Sequence, residues 1–410
     1  MNKKLNTWTL SGLMIGPILG SGIIFLPPLA FKALGQHAIW AWIIIMVIGS
    51  LFAYIFVKMT LLTTSNEGMS LVIGQVLGDR FRNLASNYLT AAVCFGPIAV
   101  ILTAASFLKA FLSPWISNEL LIAFILLLLC ALIISMGISS VGRIVLILST
   151  VTAILLVSGG VGVLVNVDHI QMPVGQPPLR DLGYTLLLVF WSIIGWEIIG
   201  NYIEDVKNPT KTIMRAMKVS LVAIILVYLV TTFALQNYYL DSTADVQLQV
   251  LLVPFFGSWS NIILSVLAAC LCMCTILMFV GAVTRQMTSR AKSGQLPQFF
   301  SKPHRSLIAL TFIHIFILGC VALGWINLEW IVEIANSFFI ANALLGLFAS
   351  FRYMKSFWLK GAIALLMLML GSLLFFSSAI AWIFLAVVTG LSSAGYIYKK
   401  TLSIENNSMD

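Results

Sequence analysis

The sequence predicts an all-α polytopic membrane protein of twelve transmembrane helices. They are arranged as a 5+5 inverted repeat with broken helices one and six, plus helices eleven and twelve. Three observations lead there. The 410 residues are 60% hydrophobic and only 9% charged, a composition foreign to soluble domains. Runs of about 20 apolar residues, enough to cross a bilayer, recur along the whole chain. Two of these runs, five spans apart, are interrupted by glycine near their middles.

The spans are expected at 7–32, 38–62, 85–112, 119–137, 143–165, 182–203, 214–236, 250–284, 306–325, 329–350, 360–376 and 379–397. Span one lacks a short apolar core followed by a cleavage pattern, so it reads as a retained span rather than a signal peptide. Spans three and eight are long enough to tilt or protrude. Between spans two and three, Ser65-Asn66-Glu67-Gly68 reads as a turn and 71–77 as a short interfacial helix. The chain reads as one domain, 1–410. Its first repeat would cover 1–165 and its second 182–350, followed by helices eleven and twelve at 360–397 and a short polar cytoplasmic tail at 398–410.

The formal net charge is +9. Placing the N-terminus in the cytoplasm puts 20 of the 23 Lys and Arg residues inside and leaves Lys32, Lys109 and Arg180 outside. Dropping or adding a span scrambles that division. The basic balance is therefore a topology signal, and the expected partner surface is the lipid bilayer, not nucleic acid. All 6 cysteines fall in apolar runs and read as small buried residues. Cys270, Cys272 and Cys274 have no His or acid beside them, so neither a metal site nor a cofactor is expected. An enzyme is disfavoured as well: the chain has no HExxH, no acidic cluster and no Ser/His pair at membrane depth.

Span one is interrupted at Ile15-Gly16-Pro17-Ile18-Leu19-Gly20-Ser21-Gly22-Ile23, with Pro27-Pro28 after it. Glycine and proline are poorly suited to a continuous helix. In lipid, each unpaired backbone group costs several kcal/mol. A break at that depth survives where it lines a cavity and a ligand takes up the free groups. The second half-helix begins near Ser21, Gly22 and Ile23, and its free N–H groups suit a carboxylate. Free carbonyls around Ile15 and Ile18 suit an ammonium. Together they describe a site for an α-amino acid. A merely kinked helix with small packing residues is the alternative.

Span six contains Phe190-Trp191-Ser192-Ile193-Ile194-Gly195-Trp196-Glu197. A charged Glu at mid-membrane costs roughly 2.5–3.5 kcal/mol or more, which marks a functional group or a protonated structural tie. Spans an odd number apart run in opposite directions. Two interrupted helices so placed point to an inverted-repeat transporter with a midplane site.

These residues resemble the amino acid–polyamine–organocation superfamily of transporters. Gly20-Ser21-Gly22-Ile23 with Pro27 is similar to its first-helix motif. Trp191 to Glu197, followed by Glu204-Asp205-Val206-Lys207-Asn208-Pro209 and Arg215-Ala216, is similar to its sixth helix and the loop after it. Thr284-Arg285, Arg290 and Gly294-Gln295-Leu296-Pro297 are similar to the end of its eighth helix. Phe95-Gly96-Pro97, Ile326-Asn327-Leu328-Glu329 and Ala335-Asn336 look closest to the bacterial exporters of methionine and branched-chain amino acids.

The resemblance implies that N–H groups near Ser21, Gly22 and Ile23 hold a substrate carboxylate. Carbonyls of Ile18, Trp191 and Ile194 would hold the ammonium. Trp191 would be an aromatic gate and Glu197 a gating or proton-sensing acid. In an alternating-access cycle Gly16, Gly20, Gly22 and Gly195 would serve as hinges, with small-residue packing the alternative for each. Pro97 stands where the arginine-carrying branch has an amide. The expected walls (Val93, Phe95, Pro97, Ile98 and Trp196) offer no counter-charge, so a neutral, mostly apolar amino acid is expected.

Sodium-coupled relatives use helix-eight hydroxyls; here the pair is Val283-Thr284, one hydroxyl short. The position of a helix-five lysine in other relatives falls near Thr152. Proton antiport through Glu197 or Glu333 is therefore expected, with exchange, facilitated diffusion, uptake or a non-transporting sensor as alternatives. The resemblance implies a bacterial cell membrane, with both termini cytoplasmic.

Overall fold

The computed structural model describes residues 4–20, 22–112, 115–167, 169–239, 246–375 and 377–407, and their side chains except at 110–111 and 397–407. The described residues fold as helices, with one isolated parallel bridge between Leu5 and Val206. We number the helices α1 Thr7–Leu19, α2 Gly22–Leu34, α3 Ala38–Thr60, α4 Met69–Leu77, α5 Asp79–Leu112, α6 Glu119–Ser135, α7 Ile138–Asn166, α8 Leu179–Val189, α9 Pro209–Tyr238, α10 Val253–Phe256, α11 Ser260–Lys292, α12 Pro303–Ala322, α13 Leu328–Tyr353, α14 Phe357–Phe375 and α15 Ala379–Asn407.

Ten helical stretches among the described residues are long and apolar enough to cross a membrane. The chain is thus a multi-pass membrane protein. The difference from twelve expected spans has a physical cause. The break divides span one, so Thr7–Leu19 stands alone as a shorter apolar helix. Its second half runs on into α3 as one stretch, Gly22–Thr60, and Glu119–Ser135 is also short. Two helices extend beyond their apolar cores. α5 begins at Asp79, and α11 reaches Lys292, with Arg290 and Lys292 complementing the negative helix end. α15 continues through the expected tail to Asn407.

The chain divides into two compact units. The first holds Met1–Val57, Val100–Trp196 and Asp205–Met278. Its core is α1 against α7 and α9, with α2 against α8 and α9. Glycine makes these approaches possible: a Cβ at Gly12 would stand 2.4 Å from Leu146 Cα, and one at Gly160 2.7 Å from Val230 Cγ1. The start of α1 is fixed by a capping box. Asn6 Oδ1 accepts from Thr9 N–H, and Thr9 Oγ1 accepts from Asn6 N–H, both at 3.0 Å. Leu5 N–H donates to Asp205 O (2.8 Å) and Lys207 N–H to Leu5 O (3.1 Å), tying the N-terminal strand-like residues to the loop before α9.

The second unit holds Lys58–Ala99, Glu197–Glu204 and Phe279–Asp410. There α13 packs on α4, α14 and α15. A polar knot ties its loops. Arg82 donates to both oxygens of buried Glu67, at 2.9 and 2.7 Å. Ser293 Oγ donates to Glu67 Oε1 at 3.2 Å, and Arg290 Nη1 to Asn87 Oδ1 at 3.0 Å. Asn66 and Glu204 exchange two backbone-to-side-chain bonds of 2.9 Å. Buried Glu67 is tolerable because Arg82 pairs with it, and buried Arg290 because it is hydrogen-bonded.

Candidate functional site

The site is built from the interruption between α1 and α2. Gly20 caps α1 in a conformation with φ +40° and ψ −145°, and its N–H donates to Gly16 O at 2.7 Å. A Cβ there would lie 2.6 Å from Pro17 O and 2.9 Å from Thr275 Oγ1. Conformation and space therefore both demand glycine. Gly16 is equally crowded, by Cys274 Cβ at 2.8 Å and Val145 Cγ1 at 3.0 Å from the same hypothetical atom. Ser21 lies outside the described residues.

α2 restarts at Gly22, so the first N–H groups of the second half-helix fall at Gly22 and Ile23, where the sequence places them. Ile23 is fully buried. A Cβ on Gly22 would stand 3.1 Å from Tyr228 Oη and 3.6 Å from Trp191 Cδ1. The structure thus brings Ile18, Gly20, Gly22 and Trp191 together. It adds Tyr228 and Thr275, which the sequence reading did not single out. Tyr228 Oη donates to Ile18 O at 3.2 Å, and its buried ring stacks on Trp42 with centroids 4.3 Å apart. Ile18 O, one of the carbonyls assigned to an ammonium, therefore already accepts one bond. A carbonyl has two lone pairs, so a second donor can still bind.

Helix six is interrupted differently. α8 passes into a 3-10 turn over Phe190–Ile193. Ile194 is extended (φ −78°, ψ 138°), and its N–H reaches Trp191 O at a long 3.4 Å. Gly195 follows at φ +127°, and the chain re-enters a 3-10 helix over Trp196–Asp205. Runs of that length are uncommon for 3-10 helices and often mark hinges.

Pro97, Glu197, Thr284 and Glu333 belong to the second unit. Pro97 is buried inside α5. Glu197 is buried at the start of the second 3-10 segment. Thr284 spends its hydroxyl hydrogen on Val280 O in its own helix, at 2.7 Å. Glu333 is half-buried on α13, and its Oε2 has no hydrogen-bond partner among the described residues. The cysteines are free thiols; Cys130, Cys272, Cys274 and Cys320 are buried, and Cys274 packs against Gly16.

A sequence model described as amino acid permease matches residues 5–403. The chain is 25% identical over 362 residues to the L-methionine/branched-chain amino acid exporter YjeH of Escherichia coli (strain K12), covering 84% of each. It is 21% identical over 413 residues to the uncharacterized amino acid permease YecA of Bacillus subtilis (strain 168), covering 98% of this chain and 96% of the permease. It is 22% identical over 315 residues to the cadaverine/lysine antiporter of Escherichia coli (strain K12), covering 73% of this chain and 69% of the antiporter.

Proposed function

Because the chain belongs to the amino acid permease family, a family of transporters rather than enzymes, we propose that it carries neutral, mainly apolar L-amino acids across the cell membrane by alternating access. One observation carries this reading. The side chains nearest to Gly16, Gly20 and Gly22 from outside the break are Cys274, Val145, Thr275, Tyr228, Leu26 and Trp191, and none of these is charged. The substrate's charges must then be met by backbone: the carboxylate by N–H groups at Gly22 and Ile23, the ammonium by carbonyls at Ile18, Trp191 and Ile194. A cationic side chain would be buried without a counter-ion, at a cost of several kcal/mol.

The proposal extends to topology and coupling. The two short apolar helices complete twelve crossings in a 5+5 inverted repeat, with cytoplasmic termini and an inner-membrane location. Proton antiport runs through Glu197, a buried acid beside the helix-six interruption. Export of methionine and branched-chain amino acids, the activity in the printed name of one relative, fits the uncharged lining better than the cadaverine and lysine of another.

Counterflow in proteoliposomes tests this. Vesicles preloaded with leucine or methionine should accumulate labelled leucine, and vesicles preloaded with arginine or lysine should not, with or without sodium. Preference for the cationic amino acids would overturn the substrate assignment. For coupling, a Glu197→Gln protein should still exchange leucine but lose its response to a pH gradient. An unchanged response would remove Glu197 from the proton pathway.

A further inference from the structure

The second half of α9 carries four polar side chains, Tyr228, Thr231, Thr232 and Gln236, and all are fully buried. A buried polar group without a hydrogen-bond partner forfeits its hydration for nothing. Tyr228 has a partner in Ile18 O. The hydroxyls of Thr231 and Thr232 and both ends of the Gln236 amide have none among the described residues. Nor has the indole Nε1 of buried Trp42, whose ring stacks on Tyr228. Threonines in other helices spend the hydroxyl on the carbonyl four residues earlier. Thr152, Thr275 and Thr284 do so at 2.9, 3.1 and 2.7 Å. Thr231 and Thr232 do not, which leaves their hydroxyls for something else.

The unpartnered groups form a row. Tyr228 and Tyr239 lie about three helical turns apart and so share a face. That face is turned to α2: Tyr228 Oη would stand 3.1 Å from a Cβ on Gly22, and the Tyr239 ring centroid is 6.4 Å from that of Phe31. Val230 points the other way, against Gly160 on α7. Thr232 is one turn beyond Tyr228, and Gln236 one turn beyond Thr232. Such neighbours are about 5–6 Å apart at Cβ, a gap that one water molecule bridges. On α2, Pro27 and Pro28 have no N–H to give the carbonyls of Ile23 and Ile24. In apolar surroundings ordered water is one way of satisfying carbonyls freed like this. Beyond Gln236 the row reaches the surface. Asn237 and Tyr238 line a cavity of about 420 Å³ together with exposed Asn166, His169 and Gln171.

The occupant must both donate and accept, fit between side chains one turn apart, and have a way in. Water meets all three conditions. We propose that a file of ordered water molecules runs along α9 from the cavity at Tyr238, past Gln236 and Thr232, to Tyr228 and Trp42 beside the α1–α2 break. Its task is to wet the N–H groups of Gly22 and Ile23 whenever substrate does not hold them. That task rests on the reading of the break as the substrate site; the file itself does not.

Hydroxyl-radical footprinting of the full-length protein in nanodiscs tests the file. X-ray pulses make radicals from bound water, and these oxidise the rings beside it even where bulk solvent does not reach. After normalisation to the free amino acids, Tyr228 and Trp42 should be oxidised about tenfold faster than Phe56, a fully buried ring packed on Phe52. In a Thr232→Val, Gln236→Leu protein both rates should fall about fivefold. The unfolding temperature adds a sign. Removing an unpaired dry polar group in favour of an apolar one of similar shape stabilises, whereas removing a hydrated one loses its bonds to water. Each single substitution should therefore lower it. Tyr228 and Trp42 as slow as Phe56, rates unmoved by the double substitution, or a rise in unfolding temperature would each overturn the proposal. Saturating leucine should slow Tyr228 oxidation about threefold by displacing the innermost water; an unmoved rate in a protein that exchanges leucine would sever the file from the break. If the protein exchanges no amino acid, the substrate reading fails by itself, and the oxidation rates and unfolding temperatures, which need no substrate, still decide whether the file exists.

Discussion

The two interruptions, one in the first helix and one in the sixth, solve the same problem by different means. At Gly20 the helix stops within one residue and restarts at Gly22 as an α-helix. The surroundings close on it: Pro17 O and Thr275 Oγ1 leave no room for a Cβ, and Tyr228 ties down Ile18 O. At Gly195 the chain unwinds through a 3-10 turn, an extended residue and a ten-residue 3-10 helix. The first break is abrupt and tightly packed. The second is a loosely wound segment whose hydrogen bonds have poorer geometry. We propose that the first break holds the carboxylate, that both breaks offer carbonyls to the ammonium, and that the second break also supplies the movement.

Substitutions can break or sharpen that contrast. The largest effect should come from Gly20→Ala, which adds a clash to a strained backbone conformation costing about 1–3 kcal/mol. Leucine counterflow should vanish, while a size-exclusion profile reports whether the protein still folds. Gly195→Ala should follow. Its positive φ costs a similar 1–3 kcal/mol, but at a hinge the loss should appear in the maximal rate more than in leucine affinity. A pure affinity loss would reverse the assignment of roles. Tyr228→Phe should weaken leucine binding about fivefold by removing a bond worth roughly 1 kcal/mol that holds Ile18 in place; competition by unlabelled leucine measures it. Cys272→Ala, in the packed interior of α11, should change leucine affinity less than twofold, as counterflow titration would record.

Much of the fold was legible because apolar run length and glycine placement are local signals. The restart of the helix at Gly22 and the short helix before α5 were readable in that way. The count of crossings was less so: cutting span one leaves Thr7–Leu19 too short to qualify on its own. The 3-10 character of Trp196–Asp205 was hidden, since periods of 3.0 and 3.6 are hard to separate over ten residues. Tyr228 and Thr275 were missed because each is a single polar group in an otherwise ordinary apolar span. The signal that could have found Tyr228 is its buried phenol, which requires a partner. His314 offered the same signal: its buried Nε2 lies 2.7 Å from Val93 O, the carbonyl that Pro97 leaves without its helical donor.

The central claim is that backbone groups at the two interruptions hold both charges of an α-amino acid, the carboxylate at Gly22 and Ile23 and the ammonium at Ile18, Trp191 and Ile194. Competition against labelled-leucine counterflow by leucine stripped of one charge tests it most directly. 4-Methylpentanoate lacks the ammonium and 3-methylbutylamine lacks the carboxylate. Each should compete at least a hundredfold more weakly than leucine, about 2.7 kcal/mol. Either compound competing within a few fold of leucine would mean that the backbone groups assigned to its missing charge do not bind substrate.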